Sequence, residues 1–408
     1  MIDQRTLRRR FLALLALRWF QSGLQVPVLV LLLQARGLDL AAVGAVTAIY
    51  GLTTVVFELP TGGLADVLGR RPVLVVSAAL FAVESVAFGF GQTFAVLAAG
   101  AALGGLGRAL DSGPLEAWYV DRVRELAADS DLQAGLSRAK ATEAVGLAAG
   151  ALAGGALATI DLTVPFAVSA AICVAIIVAV VVWVHEPARP HRMAVGDVLR
   201  GVPATMWSGL GTALGHRTVR RITVLSAGLG IALVTVELLA PVSLADIVGS
   251  DDEAAGTYAV LLTIGFLGSA AGSAVAPVAA RLARSPAAAI TIARVLAAGA
   301  VLGLATSSFV VTAVAFVAFY TILGVSRPLI SQVLHDAVPA TERATALSAQ
   351  SLTMQLSGVV ASLTIGRVAQ SVSLAAGFAI AAGALVTAVA VRLPARRVGD
   401  AIPTPAAR

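Results

Sequence analysis

Runs of about twenty apolar residues, separated by short stretches carrying arginine, proline and glycine, recur along almost the whole 408-residue chain. A helix of that length crosses a hydrocarbon core with every backbone N–H and C=O satisfied inside the segment. A strand barrel would instead show alternation in shorter segments. Windows of this length place spans near 11–34, 41–61, 72–91, 95–119, 138–159 and 163–184. Six more fall near 219–245, 255–280, 286–306, 309–333, 344–366 and 372–393. With 58% hydrophobic and 13% charged residues, the chain lacks the polar side chains to cover a globule of this size in water.

The charge pattern gives an orientation. A formal charge of +6 and a pI near 10.3 could suggest nucleic acid, but the cations cluster at span ends with no aromatic interleaving. No nucleic-acid partner is therefore expected. The cations concentrate in the termini and alternate loops, which sets both termini in the cytoplasm. Arg36 and Arg367 are exceptions, and Arg18, Arg108, Arg294 and Arg327 lie deeper within spans. The basic Arg8-Arg9-Arg10 ahead of Phe11–Leu17 imitates a signal peptide, yet apolar character runs on to Leu33 without a small-residue cleavage site, so a retained first span is expected. The single cysteine, Cys173, excludes an intramolecular disulfide and argues against a metal cluster. Lys140 is the only lysine, which leaves no phosphate-binding loop for ATP.

Hydrophobicity is interrupted longest between His185 and Arg217, where Val198, Leu199, Val202 and Met206 recur at helical spacing. The expected units are residues 1–184, a cytoplasmic linker with an interfacial helix at 185–217, residues 218–393, and a disordered tail at 394–408. Weak internal similarity supports two halves. Leu68, Arg70 and Pro72 recur as Leu282, Arg284 and Pro286, and Pro114-Leu115 ahead of Asp121 is echoed by Pro328-Leu329 ahead of Asp336. The fold class that follows is an all-α polytopic membrane protein with twelve transmembrane helices in two pseudo-symmetric six-helix bundles.

Between the second and third spans stands Gly62-Gly63-Leu64-Ala65-Asp66-Val67-Leu68-Gly69-Arg70-Arg71-Pro72. Its glycines let two helix ends approach, Asp66 can accept from an exposed helix N-terminus, and the arginines hold the turn on the positive side of a membrane. The run resembles the signature that major facilitator superfamily transporters carry at this place, with Gly62, Asp66, Gly69 and Arg70 at the matching spacings. The second half carries Ala280 where Asp66 would recur. By resemblance, Asp121 at the end of the fourth span joins Asp66 and Arg70 in a cytoplasmic gate, with Arg122 a further member. The alternative is that Asp121 and Arg122 are ordinary solvated charges.

The fourth span holds Arg108, Asp111, Ser112, Pro114 and Glu116, where lipid tolerates almost no charge. The spacing of three puts Arg108 and Asp111 on one face, where they can pair. The run resembles the superfamily's fourth-helix motif, which implies proton transfer, although Asp111 and Ser112 replace the usual glutamine and glycine; a structural ion pair is the alternative. Gly146, Gly150, Gly154 and Gly155 in the fifth span permit close helix contact. They also resemble the antiporters' fifth-helix motif, with Ala151 where proline is usual.

Remaining polar candidates are Arg18, Gln21 and Gln25 on one face of the first span, Glu58, Glu84, Glu143 and Glu237, with Glu84 and Glu237 deepest. Either deep carboxylate could bind and release a proton during a cycle. The resemblance favours Glu237, because seventh-span residues line the superfamily's cavity and third-span residues more often lie at its periphery. Ser112, Glu116, Tyr258, Tyr320 and Arg327 complete the expected cavity. Arg294 is expected to snorkel to the headgroups or pair inside its half. The implied function is secondary active transport, with export of small lipophilic compounds by alternating access ahead of nutrient import and of a non-transporting receptor. No enzyme activity is expected, and no cofactor is needed beyond a proton gradient. The expected partners are a small-molecule substrate, protons and the bilayer, for a monomer in a cell membrane such as the bacterial inner membrane.

Overall fold

Apolar side chains on every face of a helix demand neighbours or lipid on every face, and the chain meets that demand with helices alone among the described residues. The structure, a computed structural model, describes residues 3–62, 64–126, 132–186, 217–339 and 342–390. The expected linker and tail lie outside these, apart from the ends of the linker. Eleven helices are long and apolar enough to cross a membrane, and a twelfth, Leu374–Val389, is apolar but 16 residues long.

In the first half the spans are Gln4–Gln25 continued by Leu29–Ala35, Leu40–Gly62, Arg70–Phe90, Phe94–Asp111 continued by Pro114–Leu126, Leu132–Ala158 and Val164–Trp183. In the second they are Arg217–Val248, Asp251–Leu282, Pro286–Gly303, Phe309–Ala337, Arg343–Ser371 and Leu374–Val389. Two spans break where the windows ran straight through. Pro27 lacks an N–H and interrupts the first, and Ser112-Gly113-Pro114 interrupts the fourth, with Gly113 at φ 99°. A five-residue helix, Leu64–Leu68, sits inside the charged turn. Gly69 then turns at φ 94°, and Arg284 makes the corresponding turn in the second half at φ 65°.

Packing repeats from half to half. In the first half, span one lies against spans five and six, span four against two and three, and span three against six. In the second, span seven lies against eleven and twelve, span ten against eight and nine, and span nine against twelve. Two seams join the sets, the second span on the eleventh and the fifth on the eighth, and these are also equivalent.

Small residues bring the backbones together. A Cβ on Gly150 or Gly154 would run into the Phe20 or Leu24 carbonyl oxygen of the first span, and one on Gly146 would crowd Ala16 and Trp19. Gly155 instead meets Ala255 and Ala259 of the eighth span, across the halves. Gly44 and Gly366 do the same for the other seam, against Ser362 and Leu40. That seam is pinned at both ends: Gln370 Nε2 donates to Asp39 Oδ2 at 3.0 Å, and Gln355 Nε2 donates to Glu58 Oε2 at 3.0 Å. Hydrogen bonds from the Ala42 N–H and from Gln370 hold the Asp39 carboxyl below the usual carboxylate range, so this latch is charged at neutral pH and lost only as strong acid protonates it.

Overpacking the two kinds of seam has different consequences. Gly150→Val, inside one half, should destabilise by about 1–3 kcal/mol and lower the Tm of the detergent-solubilised protein. Gly44→Val, between halves, should leave Tm nearly unchanged and prop open the arginine-poor face. A cysteine introduced as Thr47→Cys in the cavity would then react faster with an impermeant maleimide applied from that side; unchanged labelling would remove this role for the seam.

Candidate functional site

A charged group can stay in an apolar bundle only where other polar groups or water meet it. Asp111 Oδ2 accepts from Arg18 Nε at 2.9 Å and lies 3.6 Å from Arg108 Nη1. The pair expected within the fourth span is therefore secondary, since Asp111 binds the first span more tightly. Arg18 is nearly buried, whereas the Arg108 side chain is 38% exposed. The Arg18 guanidinium also stacks 3.9 Å from the centre of the Phe81 ring, and Arg108 lies 5.5 Å from the centre of the Trp19 ring.

From Arg18 a hydrogen-bonded chain runs toward the space between the halves. Arg18 Nη1 donates to Gln21 Oε1 at 3.2 Å and to the Ser22 hydroxyl. Gln21 Nε2 donates to Ser169 Oγ at 2.8 Å, and Gln25 Nε2 donates to Ser169 Oγ at 2.7 Å and Ser85 Oγ at 3.0 Å. The two hydroxyls are 2.9 Å apart, and Ser85 closes the chain on the Phe81 carbonyl at 2.7 Å. Ser85 and Ser169 are functional candidates that sequence reading passed over, because a lone serine in an apolar run carries no signal until its partner helix is known.

The chain ends at a cavity of about 300 Å³. Its first-half wall is built from Gln21, Ser22, Gln25, Val26, Leu29, Val30, Val46, Thr47, Tyr50, Phe81, Glu84 and Phe88. The second half contributes Val234, Glu237, Leu238 and Tyr258. Glu84 thus faces the cavity rather than the periphery, with its carboxylate lying against the bare Cα of Gly104. Glu237 opens into the same space from the seventh span. Tyr258 forms part of an aromatic cluster with Phe316, which also packs on Tyr320, and both tyrosine hydroxyls are buried without a hydrogen-bond partner.

Two halves of six helices around a shared cavity describe many transporters, and comparison with known families decides which. The description "Major Facilitator Superfamily" fits residues 11–362. The chain belongs to the major facilitator superfamily. Membership makes it a multi-pass membrane transporter for a small-molecule substrate rather than an enzyme. Over 93 residues it is 37% identical to the inner membrane transport protein YajR of Escherichia coli (strain K12), a match covering 22% of this chain and 20% of that protein. A mutant form of the nucleoside transporter NupG superposes with a TM-score of 0.78 at 14% identity, covering 94% of this chain and 98% of that one. A D-xylose–proton symporter superposes at 0.69 with 15% identity, covering 95% and 98%. At such identities the solved structures speak for the superfamily fold alone.

At the superfamily's signature turn, Arg70 Nη1 lies 2.6 Å from Asp121 Oδ2. Gly62 closes the second span and Asp66 lies within Leu64–Leu68, but the expected part of the Asp66 carboxylate falls outside the described side chains. The carboxylate found on the N-terminus of the third span is that of Glu186, which accepts from the Arg70 N–H at 2.8 Å and the Arg71 N–H at 3.3 Å. An acid just past the sixth span, on an otherwise cationic face, was the signal available. Arg122 pairs with Glu125 at 2.6 Å rather than with this turn, and Lys140 with Glu143 at 3.1 Å.

Several expected cavity residues stand elsewhere. Ser112, Glu116 and Arg327 are exposed and do not line the described cavity, and Tyr320 sits behind Tyr258. Arg294 does not snorkel: it is 1% exposed, and its Nε and Nη2 have no hydrogen-bond partner among the described residues.

Asp111 answers for two guanidiniums, so its pairings should be unequal. A double-mutant cycle on thermal unfolding with Arg18→Ala and Asp111→Ala should give a coupling of about 1–3 kcal/mol. The cycle with Arg108→Ala should give less than about 1 kcal/mol. Equal couplings would contradict the geometry.

Proposed function

We propose that the chain is a proton-coupled exporter of small lipophilic organic compounds, cations foremost, working by alternating access of its two halves. The observation that carries this reading is the cavity wall, apolar and aromatic except for a carboxylate from each half, Glu84 and Glu237, and a few amides and hydroxyls. Those amides are largely committed: Gln21 and Gln25 spend their N–H groups on Ser85 and Ser169, and Gln21 Oε1 accepts from Arg18. What remains for a polyhydroxylated nutrient, whose recognition depends on such groups, is chiefly the two carboxylates and the Tyr50 and Tyr258 hydroxyls. A carboxylate facing a cation and able to take up a proton instead gives a direct exchange of one for the other. The cationic lining that an organic anion would need is missing from the described wall, because Arg18 is turned to Asp111.

In this reading the arginine-rich face is cytoplasmic, both termini included. The Arg70–Asp121 pair, joined by Asp66, then acts as the gate on the cytoplasmic side. The chain works as a monomer in a bacterial inner membrane, needing no cofactor. One proton moving down 100 mV supplies about 2.3 kcal/mol, enough for roughly a fiftyfold gradient before any pH difference is added.

Proteoliposomes with an imposed pH gradient test it against a panel of a lipophilic cation, a neutral lipophile, a nucleoside and a pentose. The cation should move opposite to protons. Glu237→Gln should abolish gradient-driven accumulation while sparing gradient-free exchange, and Glu84→Gln should weaken it. Transport of the pentose or nucleoside with protons, or full coupling in both variants, would overturn the reading.

A further inference from the structure

A second hollow, of about 220 Å³, lies at the arginine-rich end of the first half, away from the transport cavity. Three chain segments form it: the start of the first span with Leu7 and Arg10, the end of the fourth with Trp118 and Arg122, and Trp183 at the end of the sixth. We propose that this hollow binds the phosphodiester headgroup of an anionic membrane phospholipid.

The charges fit that chemistry. Arg122 is held by Glu125 at 2.6 Å, which fixes its guanidinium and leaves other N–H groups for a ligand. Arg10 has no acidic partner among the described residues and lines the same hollow. Two arginines and Glu125 therefore sum to one net positive charge, which one phosphodiester neutralises. A zwitterionic headgroup brings its own cation and gains less.

The indoles fit as well. Trp118 donates its Nε1–H to the His185 carbonyl at 3.3 Å and is fixed as a wall. The Trp183 N–H has no acceptor among the described residues and is available to a phosphate or glycerol oxygen. Tryptophans at a span end and arginines beside them are what a headgroup layer selects.

The rim favours a lipid over a free phosphate ester. Leu126, an exposed apolar side chain, and the buried Leu7 line the hollow and give an acyl chain a surface to follow. A soluble ester has no use for these leucines. Occupancy would tie together the ends of spans one, four and six, one residue from the Asp121 that pairs with Arg70.

The test uses the full-length protein in phosphatidylcholine vesicles, with tryptophan fluorescence quenched by dibrominated phosphatidylglycerol or dibrominated phosphatidylcholine. The anionic lipid should bind several-fold more tightly. Arg10→Gln should lower that preference about fivefold, the effect of one basic residue at a membrane surface, and Arg10→Lys should restore most of it. Arg124→Gln removes the same charge from an exposed position on the same helix and should leave the preference unchanged. Equal quenching by the two lipids, or equal losses in Arg10→Gln and Arg124→Gln, would overturn the site in favour of diffuse surface charge. Displacement by millimolar glycerophosphoglycerol, the headgroup without chains, would overturn the lipid assignment in favour of a soluble ester.

Discussion

The constraint on which this structure depends is that Asp111 cannot face hydrocarbon alone. Its carboxylate lies between a nearly buried arginine of the first span and a half-exposed one of its own span. Satisfying it brings the first and fourth spans into register, and the Phe81 ring under Arg18 adds the third. Once Arg18 is placed, its remaining N–H groups orient Gln21 and Ser22, and through Ser169 and Ser85 the effect reaches Gln25 and the cavity wall. Asp111 and the cavity wall are therefore joined by a continuous set of hydrogen-bonded side chains. Such a network is stable only when each member is satisfied, so it also specifies one arrangement of these spans.

What the sequence disclosed, and what it withheld, follows from the range of the forces involved. Span number and the all-helical class were legible because hydrophobic length and backbone satisfaction are local properties, readable in a window. The signature turn was legible because its glycine and arginines act within one loop, and Gly69 does adopt φ 94°. The partner of Asp111 was not, because helical spacing favours Arg108 three residues away while the shorter bond comes from Arg18, 93 residues away. Glu84 ranked below Glu237 for the same reason: its third-span carboxylate lies against Gly104 of the fourth span, where a Cβ would collide with it, and that contact is invisible in a single window. The acceptor described at the third span's N-terminus is Glu186, brought there because the end of the sixth span returns to that helix.

The breaks teach a related lesson about proline. Pro27 and Pro114 interrupt their spans, but Pro241, Pro277 and Pro328 lie inside continuous helices. In a bundle the missing N–H can be tolerated where neighbouring backbone and side chains compensate, so proline alone does not end a span. Pro114 is preceded by Gly113 at φ 99°, a conformation a helix cannot contain, whereas its echo Pro328 follows Arg327 in helical geometry. The two halves thus share packing while differing at the residue that decides whether the fourth helix or its counterpart can bend.

That difference bears on how the halves divide labour. The described ion pairs and the glutamine–serine chain all belong to the first half. The second half supplies Glu237 and the unpartnered tyrosine hydroxyls, and buries Arg294 with its Nε and Nη2 unpartnered among the described residues. A half whose polar groups are cross-linked by hydrogen bonds resists deformation, and one held mainly by apolar contact and small residues slides at lower cost. The seams between them are of the second kind along most of their length, glycine against backbone at Gly44, Gly155 and Gly366, with polar pins at Asp39–Gln370 and Glu58–Gln355. Separating the halves would mean breaking the Asp39–Gln370, Glu58–Gln355 and Thr263–Ala148 hydrogen-bonded contacts and parting close-packed backbone, none of which involves the Asp111 network, so the charge site and the inter-half seams are physically separate.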